Sequence, residues 1–299
     1  MYNLAILKEN YDVGVIKYDT YLKETGFKRS KKYANIKSII VFIFPFANLK
    51  LSGKYLPARF SYGIDYHRAV VDEINKALNL INLKNYQVFS DISFLQEKIC
   101  GHLAGLGTIG KNTLLINPKY GTQFVIGEAV TSEEFGEYDD VIEFAPCNGC
   151  NLCVQACPNC ALDNGLIKNK CLSYLNQVDS FDFPLYDKMK NIYGCDICQD
   201  VCPHNYNKEY TYNKLYDFND KSIIDLDELI NLTDEEYKLK YFDKAFNWIT
   251  KLRMIRNIVV LKVKHQEISL EKIDEIINKY KDVTWFYDHM QYLRKKVKK

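Results

Sequence analysis

Eight of the ten cysteines fall into two spaced groups, and this pattern restricts the fold more than anything else in the chain. The first group, Cys147-x-x-Cys150-x-x-Cys153-x-x-x-Cys157 followed by Pro158, is the run by which bacterial proteins hold cubane [4Fe-4S] clusters. Three of its thiolates cap one cluster and the fourth reaches across to another. The second group, Cys195-x-x-Cys198-x-x-x-Cys202 followed by Pro203, lacks a member at its front, and Cys171 supplies it. On the crossed pattern one cluster is bound by Cys147, Cys150, Cys153 and Cys202. The other is bound by Cys157, Cys171, Cys195 and Cys198. Two clusters in one small domain form a path for single electrons.

Other uses of cysteine fit less well. Zinc accepts paired C-x-x-C knuckles but has no use for the x-x-x-Cys-Pro ending, which occurs here twice. Disulfides need an oxidising compartment, and the opening MYNLAILKENYDVG shows no charged segment followed by an apolar one. A cytoplasmic protein with reduced thiols is expected. Cys100 and Cys160 fit no ligand position and are expected to be buried structural thiols.

A chain of 299 residues can bury a sizeable core, and a net charge of +2 does not by itself announce a nucleic-acid partner. The basic residues are unevenly placed, with Lys251, Arg253, Arg256, Lys262 and Lys264 close together and a run from Arg294 to Lys299. Such a tail is either a solvated end or a contact for RNA phosphates. The longest apolar run, Ile39 to Phe44, is far too short to span a membrane.

Periodicity divides the chain in three. Residues 1–142 alternate strand-like and helix-like pieces, an α/β (α+β) pattern. Ser38 to Phe44 reads as a strand, and Val70, Ile74, Ala77, Leu78 and Ile81 recur at helical spacing. A short strand is predicted at Tyr86 to Phe89, a helix from about Ser93 to His102, and strands near Thr113 to Ile116 and Gln123 to Val130. Residues 143–207 hold the cysteines among short loops. Residues 208–299 are helical, with a capping box at Thr233 to Glu236 and amphipathic stretches at Trp248 to Val263 and Leu270 to Tyr280.

Gly105-Leu-Gly-Thr-Ile-Gly110 matches the dinucleotide fingerprint, and with Lys111 it nearly makes a phosphate-binding loop. Context rejects both. A helix precedes and a strand follows, the reverse of the fingerprint's setting, and Asn112 stands where a magnesium-binding Ser or Thr belongs. Two readings remain: a turn that lets backbone approach a large flat ligand, or a tight helix-to-strand connection.

Several stretches together resemble the epoxyqueuosine reductase family. They are Ala58-Arg-Phe-Ser-Tyr-Gly-Ile-Asp-Tyr-His67, the run from Ala104 to Pro118, the strand carrying Gly127-Glu128, the cluster run, Cys171-Leu-Ser-Tyr174, and Gly194 to Asn205. The resemblance covers roughly residues 55 to 262. It implies a corrinoid-binding first domain of nitroreductase-like type, a ferredoxin-like double-cluster domain and a short α-helical C-terminal region, a reduced form of the family's helical repeat. It also implies two [4Fe-4S] clusters and cobalamin as cofactors, tRNA at its anticodon region as partner, and an external low-potential electron donor. The reaction removes the epoxide oxygen of epoxyqueuosine.

That chemistry consumes two electrons and two protons, so a two-electron centre and a proton donor are needed. Asp91 matches the family's proposed proton donor, a carboxylic acid kept protonated by an apolar pocket; on sequence position alone it is a helix N-cap. Arg59, Asp65, Tyr66, His67, Gly110, Lys111 and Asn112 match residues expected to shape the corrinoid and substrate pocket. His67, a lone histidine starting a helix, reads by itself as a structural hydrogen-bonder. The sequence departs from the family at Ile92-Ser93-Phe94, which follow the acid where small residues and Pro are usual, and in the short helical end. Two alternatives stay open: a corrinoid iron-sulfur oxidoreductase acting on a small molecule, and an electron carrier without a substrate site.

Overall fold

The computed structural model describes residues 2–46, 53–206, 208 and 222–297. Asn207, at an expected domain boundary, and Lys298 and Lys299 of the basic end lie outside the described residues. Backbone contacts gather the chain into two units: Met1–Asn48, Asp65–Asn151 and Cys202–Tyr216 in the first, Leu49–Ile64, Leu152–Val201 and Asp217–Lys299 in the second.

The first unit is built on an antiparallel sheet of β1 (Asp12–Lys17), β2 (Ser38–Pro45), β6 (Phe124–Thr131) and β3 (Tyr86–Phe89), in that spatial order. Every residue of β2 and β6 is buried. Their β-branched and aromatic composition follows from this, because both faces are covered and neither strand needs a polar side. Helix α3 (Tyr66–Leu80) lies on one face and α4 (Glu97–Leu103) on the other. A Cβ on Gly127 would come 2.5 Å from Val70 of α3, whereas one on Gly101 of α4 would meet the neighbouring Leu115 and Ile126 side chains. Ile39, Val41 and Ile43 of β2, Ile126 and Val130 of β6, and Cys100 and Leu103 of α4 form one core cluster.

Two expected elements start later than periodicity suggests. The helix predicted from Ser93 begins at Glu97, and Asp91 is not its cap. The reason is local competition: Ile92 N–H returns to Ser90 O at 2.7 Å, and Ser93 Oγ accepts from Leu95 N at 3.0 Å. These turns take the donors that a helix would use. Likewise Thr113 adopts φ 61° and donates to Gly110 O, so β5 is only Leu115–Ile116, paired with β4 (Thr108–Ile109).

In the second unit, the short helices α5 (Leu152–Ala156), α6 (Leu172–Leu175) and α7 (Ile197–Asp200) present cysteines. Longer helices follow: α8 (Leu226–Asn231), α9 (Asp234–Lys240), α10 (Lys251–Lys264), α11 (Leu270–Lys279) and α12 (Thr284–Arg294). The capping box forms as expected, with Thr233 Oγ1 accepting from Glu236 N at 3.1 Å and Glu236 Oε2 from Thr233 N at 2.7 Å.

Helix α10 is the spine of this unit, packing against α8 and α12. Its Asn257 amide donates to Asn176 O and Ile192 O, both at 2.7 Å, so the helix holds the backbone between the cysteines. Arg256, expected on a phosphate-binding surface, is 0% exposed. Its Nη2 donates to Val178 O at 3.2 Å, and the guanidinium lies 4.4 Å from the Tyr186 ring centre. Arg253 is half-buried in an ion pair with Asp179 at 2.9 Å. The basic cluster is therefore partly internal. An apolar stretch with an arginine on its inward side cannot be told from an amphipathic one until its partners are known.

Arg256→Met is expected to lower stability by about 2–4 kcal/mol, since buried carbonyls lose their donor. Arg253→Ala, which breaks a largely solvent-screened pair, should cost under about 1 kcal/mol. Denaturant unfolding of the cluster-loaded chain reads both; equal, small losses at the two positions would show that Arg256 is not structural.

Candidate functional site

The first turn of α3 organises an acid–imidazole relay. Asp65 caps the helix, accepting from His67 N at 3.1 Å, and its Oδ1 lies 2.6 Å from His67 Nδ1. The other ring nitrogen, Nε2, lies 3.2 Å from Asp91 Oδ2. Tyr66 stacks on the imidazole with ring centres 4.1 Å apart, and its hydroxyl also bonds Asp91. Asp91 reaches this position from the turn after β3 with φ 61°, a left-handed conformation that Asp and Asn tolerate better than most residues. Its side chain remains 54% exposed, so it faces outward from the relay.

These contacts decide where the proton sits. Burial works to lower the His67 pKa, but the bonds from Asp65 and Asp91 outweigh it and push the imidazole up to about 9. The hydrogen bond from His67 holds Asp91 below the usual carboxylate range, against some desolvation. Burial raises the Asp65 pKa, yet the His67 bonds bring it down overall. These shifts run against a carboxylic acid kept protonated at Asp91: both carboxylates are drawn down and the imidazole is drawn up, because an imidazole clamped between two carboxylates is the better base.

Beneath Asp91 are two acids that sequence reasoning missed. Glu128 stands in the middle of β6 opposite Val41 and Phe89, on the same face as Ile126 and Val130, under α4. It is 0% exposed, and among the described residues neither carboxyl oxygen has a hydrogen-bond partner. Burial raises its pKa to about 8, with Glu97 and Asp91 adding to the shift. Glu97, at the start of α4, is pushed up to about 7 by burial and by Asp91. The Cys100 thiol beside them is raised further, by burial and by Glu128. A signal existed in the sequence: Glu128 is the one charged residue in Phe124-Val-Ile-Gly-Glu-Ala-Val-Thr131.

Each unit draws its own cysteine segments together. In the first, His204 Nε2 lies 2.8 Å from Pro146 O, which ties the segment just after Cys202 to the residue before Cys147. Asn205 Oδ1 accepts from Thr122 N at 2.8 Å, over Gly121, where a Cβ would lie 2.1 Å from the same oxygen. In the second, α5 packs on α7, and the Cys198 thiol is pushed up by burial and by Cys195, Cys171, Cys153 and Cys157. Burial pushes Cys195 up to about 12, with Cys171 and Cys157 contributing. Buried thiols that resist ionisation together need a strongly cationic centre to bind as thiolates. Backbone N–H groups already point at two sulfurs, Lys111 N at 3.4 Å from Cys147 and Ala161 N at 3.3 Å from Cys157, as cluster ligands commonly have. Among the described residues no three His, Cys, Asp or Glu side chains converge as one metal ion requires. A cubane spreads its thiolates over separate corners, a wider spacing than a lone ion accepts. Cys100 is buried as expected, but Cys160 is exposed, because the turn after Cys157 lifts it outward with φ 50°.

Two basic residues assigned from sequence to the corrinoid pocket are bonded to cysteine segments. Lys111 Nζ donates to Cys150 O at 2.8 Å and Asn151 Oδ1 at 2.6 Å. Arg59 Nη1 donates to Asp200 Oδ1 at 2.7 Å and its backbone N to Asp196 Oδ2 at 3.0 Å. The glycine-rich turn is a tight connection, since a Cβ on Gly107 would lie 2.4 Å from Ile116 O, and Gly110 packs on Ile116. Asn112, 4% exposed, accepts from Leu114 N with its Oδ1, whereas its Nδ2 has no hydrogen-bond partner among the described residues.

Residues 146–205 match the sequence model of a 4Fe-4S double cluster binding domain. The chain is 31% identical over 219 residues to an epoxyqueuosine reductase of Listeria monocytogenes, covering 70% of this chain but only 57% of that protein. It is 32% identical over 239 residues to the epoxyqueuosine reductase of Leadbetterella byssophila, covering 76% of this chain and 77% of that protein. It shares its fold with a crystal structure of epoxyqueuosine reductase with a tRNA-Tyr epoxyqueuosine-modified tRNA stem loop, at a TM-score of 0.80 and 22% identity over 99% of this chain and 91% of the other. No helix among the described residues is long and apolar enough to cross a membrane.

The buried acids predict a pH dependence of stability. The folded-state pKa of Glu128, about 8, lies above the ordinary 4.5, so between these values the native chain holds a proton that the unfolded chain has lost. Stability should fall as pH rises through that window, by at most about 1.4 kcal/mol per unit for the group. Glu128→Gln should flatten the profile and unfold at higher denaturant than the unsubstituted chain at high pH. Parallel profiles for the two would mean that Glu128 ionises without cost.

Proposed function

This chain belongs to the epoxyqueuosine reductase family, and from that membership we propose that it reduces epoxyqueuosine to queuosine in tRNA, in the cytoplasm, with electrons from an external low-potential donor. The observation that carries the reading is the Asp65–His67–Asp91 relay, which offers a proton at an exposed carboxylate. Removing an epoxide oxygen to leave an alkene takes up two electrons and two protons and releases water.

The clusters supply electrons one at a time, and a corrinoid, when bound, supplies the two-electron centre between them and the substrate. Asn112 supports a corrinoid, because its buried, unpaired Nδ2 suits a cofactor rimmed with amide carbonyls. Asn112 and Gly110, with Tyr66, would hold it in a first domain of nitroreductase-like type. Lys111 and Arg59 would act instead on the cysteine segments that they bond.

This chain's own groups supply the first of the two protons. His67 Nε2 holds it at neutral pH, 3.2 Å from Asp91 Oδ2. As negative charge develops on the departing oxygen, the Asp91 carboxylate takes the proton from His67 and passes it outward, and solvent water supplies the second proton and reprotonates the imidazole. Asp65 stabilises the imidazolium and fixes its tautomer. Turnover should then decline as pH rises through about 9, where His67 loses its proton.

Asp91→Asn is expected to keep fold and clusters, because Asn accepts the same positive φ. Turnover on an epoxyqueuosine-containing stem loop should fall by roughly 10²–10⁴-fold, since an amide cannot relay the proton. Near-normal turnover in this variant would end the proposed role. Independently, the loaded chain should carry about eight iron atoms. Cys171→Ser should lose iron as Cys195→Ser does, with Cys160→Ser silent; the reverse would show that the fourth ligand is misassigned.

A further inference from the structure

Arg59 is held among acids that flank the second cysteine run. Asp196 stands between Cys195 and Cys198 and is a buried residue. Its Oδ2 accepts from Arg59 N at 3.0 Å and lies 4.0 Å from Nε. Asp200, two residues beyond Cys198, accepts from Arg59 Nη1 at 2.7 Å and is also paired with Lys190. The Arg59 side chain is 20% exposed, and its Nε and Nη2 have no hydrogen-bond partner among the described residues.

As a stability device this is poor. A guanidinium taken out of water with half its donors unused recovers little, and an apolar replacement of similar size is often no less stable. As a charge device it is well placed. Asp196 acts on the Cys195 sulfur, Asp200 follows Cys198 by two residues, and in a low-dielectric interior such charges act strongly on anything bound there. Arg59 and Lys190 offset them. Reducing a cluster by one electron adds a negative charge, so the local charge balance sets its potential.

We infer that Arg59 is a positioning residue that holds up the reduction potential of the cluster ligated by Cys157, Cys171, Cys195 and Cys198, by opposing the charge of Asp196 and Asp200. This rests on the double-cluster reading and is independent of the substrate.

The test is an anaerobic redox titration of the full, iron-loaded chain, followed by electron paramagnetic resonance, with iron measured on every sample. Arg59→Met should lower the midpoint of one cluster, the one whose signal Cys171→Ser removes, and leave the other in place. Arg59→Lys, which keeps the charge, should stay near the unsubstituted midpoint. Asp200→Asn should raise it. An Arg59→Met chain with full iron and unchanged midpoints, or with both midpoints shifted alike, overturns the inference. If Arg59→Met fails to hold iron, Asp200→Asn decides: an upward shift supports the inference and an unchanged midpoint overturns it. Iron well below about eight in the unsubstituted chain would instead overturn the cluster reading itself.

Discussion

Cysteine segments that are short and looped have few ladder hydrogen bonds to fix their shape, and in this protein hydrogen bonds from cations and amides to their backbone and acids help to fix it. Lys111 grips the carbonyl of Cys150, and Asn257 grips the carbonyls of Asn176 and Ile192. Arg59 grips the acids around Cys195 and Cys198. A rigid cage matters because electron transfer is efficient only when the donor set changes little between oxidation states. The strong, charge-assisted bonds here go to backbone and to short side chains, where little freedom remains to be lost.

The same economy governs the relay. Asp65 is at once a helix cap and the partner of His67, so the element that starts α3 also fixes the imidazole. Asp91 is delivered by a turn that replaces the expected helix start, and the replacement is useful: a carboxylate capping a helix would be spent on backbone donors, whereas at φ 61° it is free to meet Nε2 and the exterior.

Glu128 has a different character. An unpaired carboxyl in a fully buried strand lowers the stability of the fold at alkaline pH, and nothing in packing calls for it where Val or Leu would fill the same face. With Glu97 it makes a carboxyl pair below the relay, in which protonated forms are favoured by burial. Groups perturbed by both desolvation and neighbouring charge cluster at working sites more often than elsewhere.

The amino-acid sequence alone determined the double-cluster cysteine pattern, the core strands and helix α3. Each of these is a local pattern: cysteine spacing and the trailing Pro are dictated by cluster geometry, and β2 and α3 by periods of two and three to four residues. Tertiary structure decided what each polar residue meets. Arg59 and Lys111 sit in stretches that resemble a cofactor pocket, yet their charges are satisfied by acids and carbonyls more than 35 positions away in the chain. Arg256 reads as a surface base and is buried, and Asp91 reads as a cap and is a partner of His67. A charge takes the nearest complementary group in space, and spacing along the chain carries no record of which group that will be.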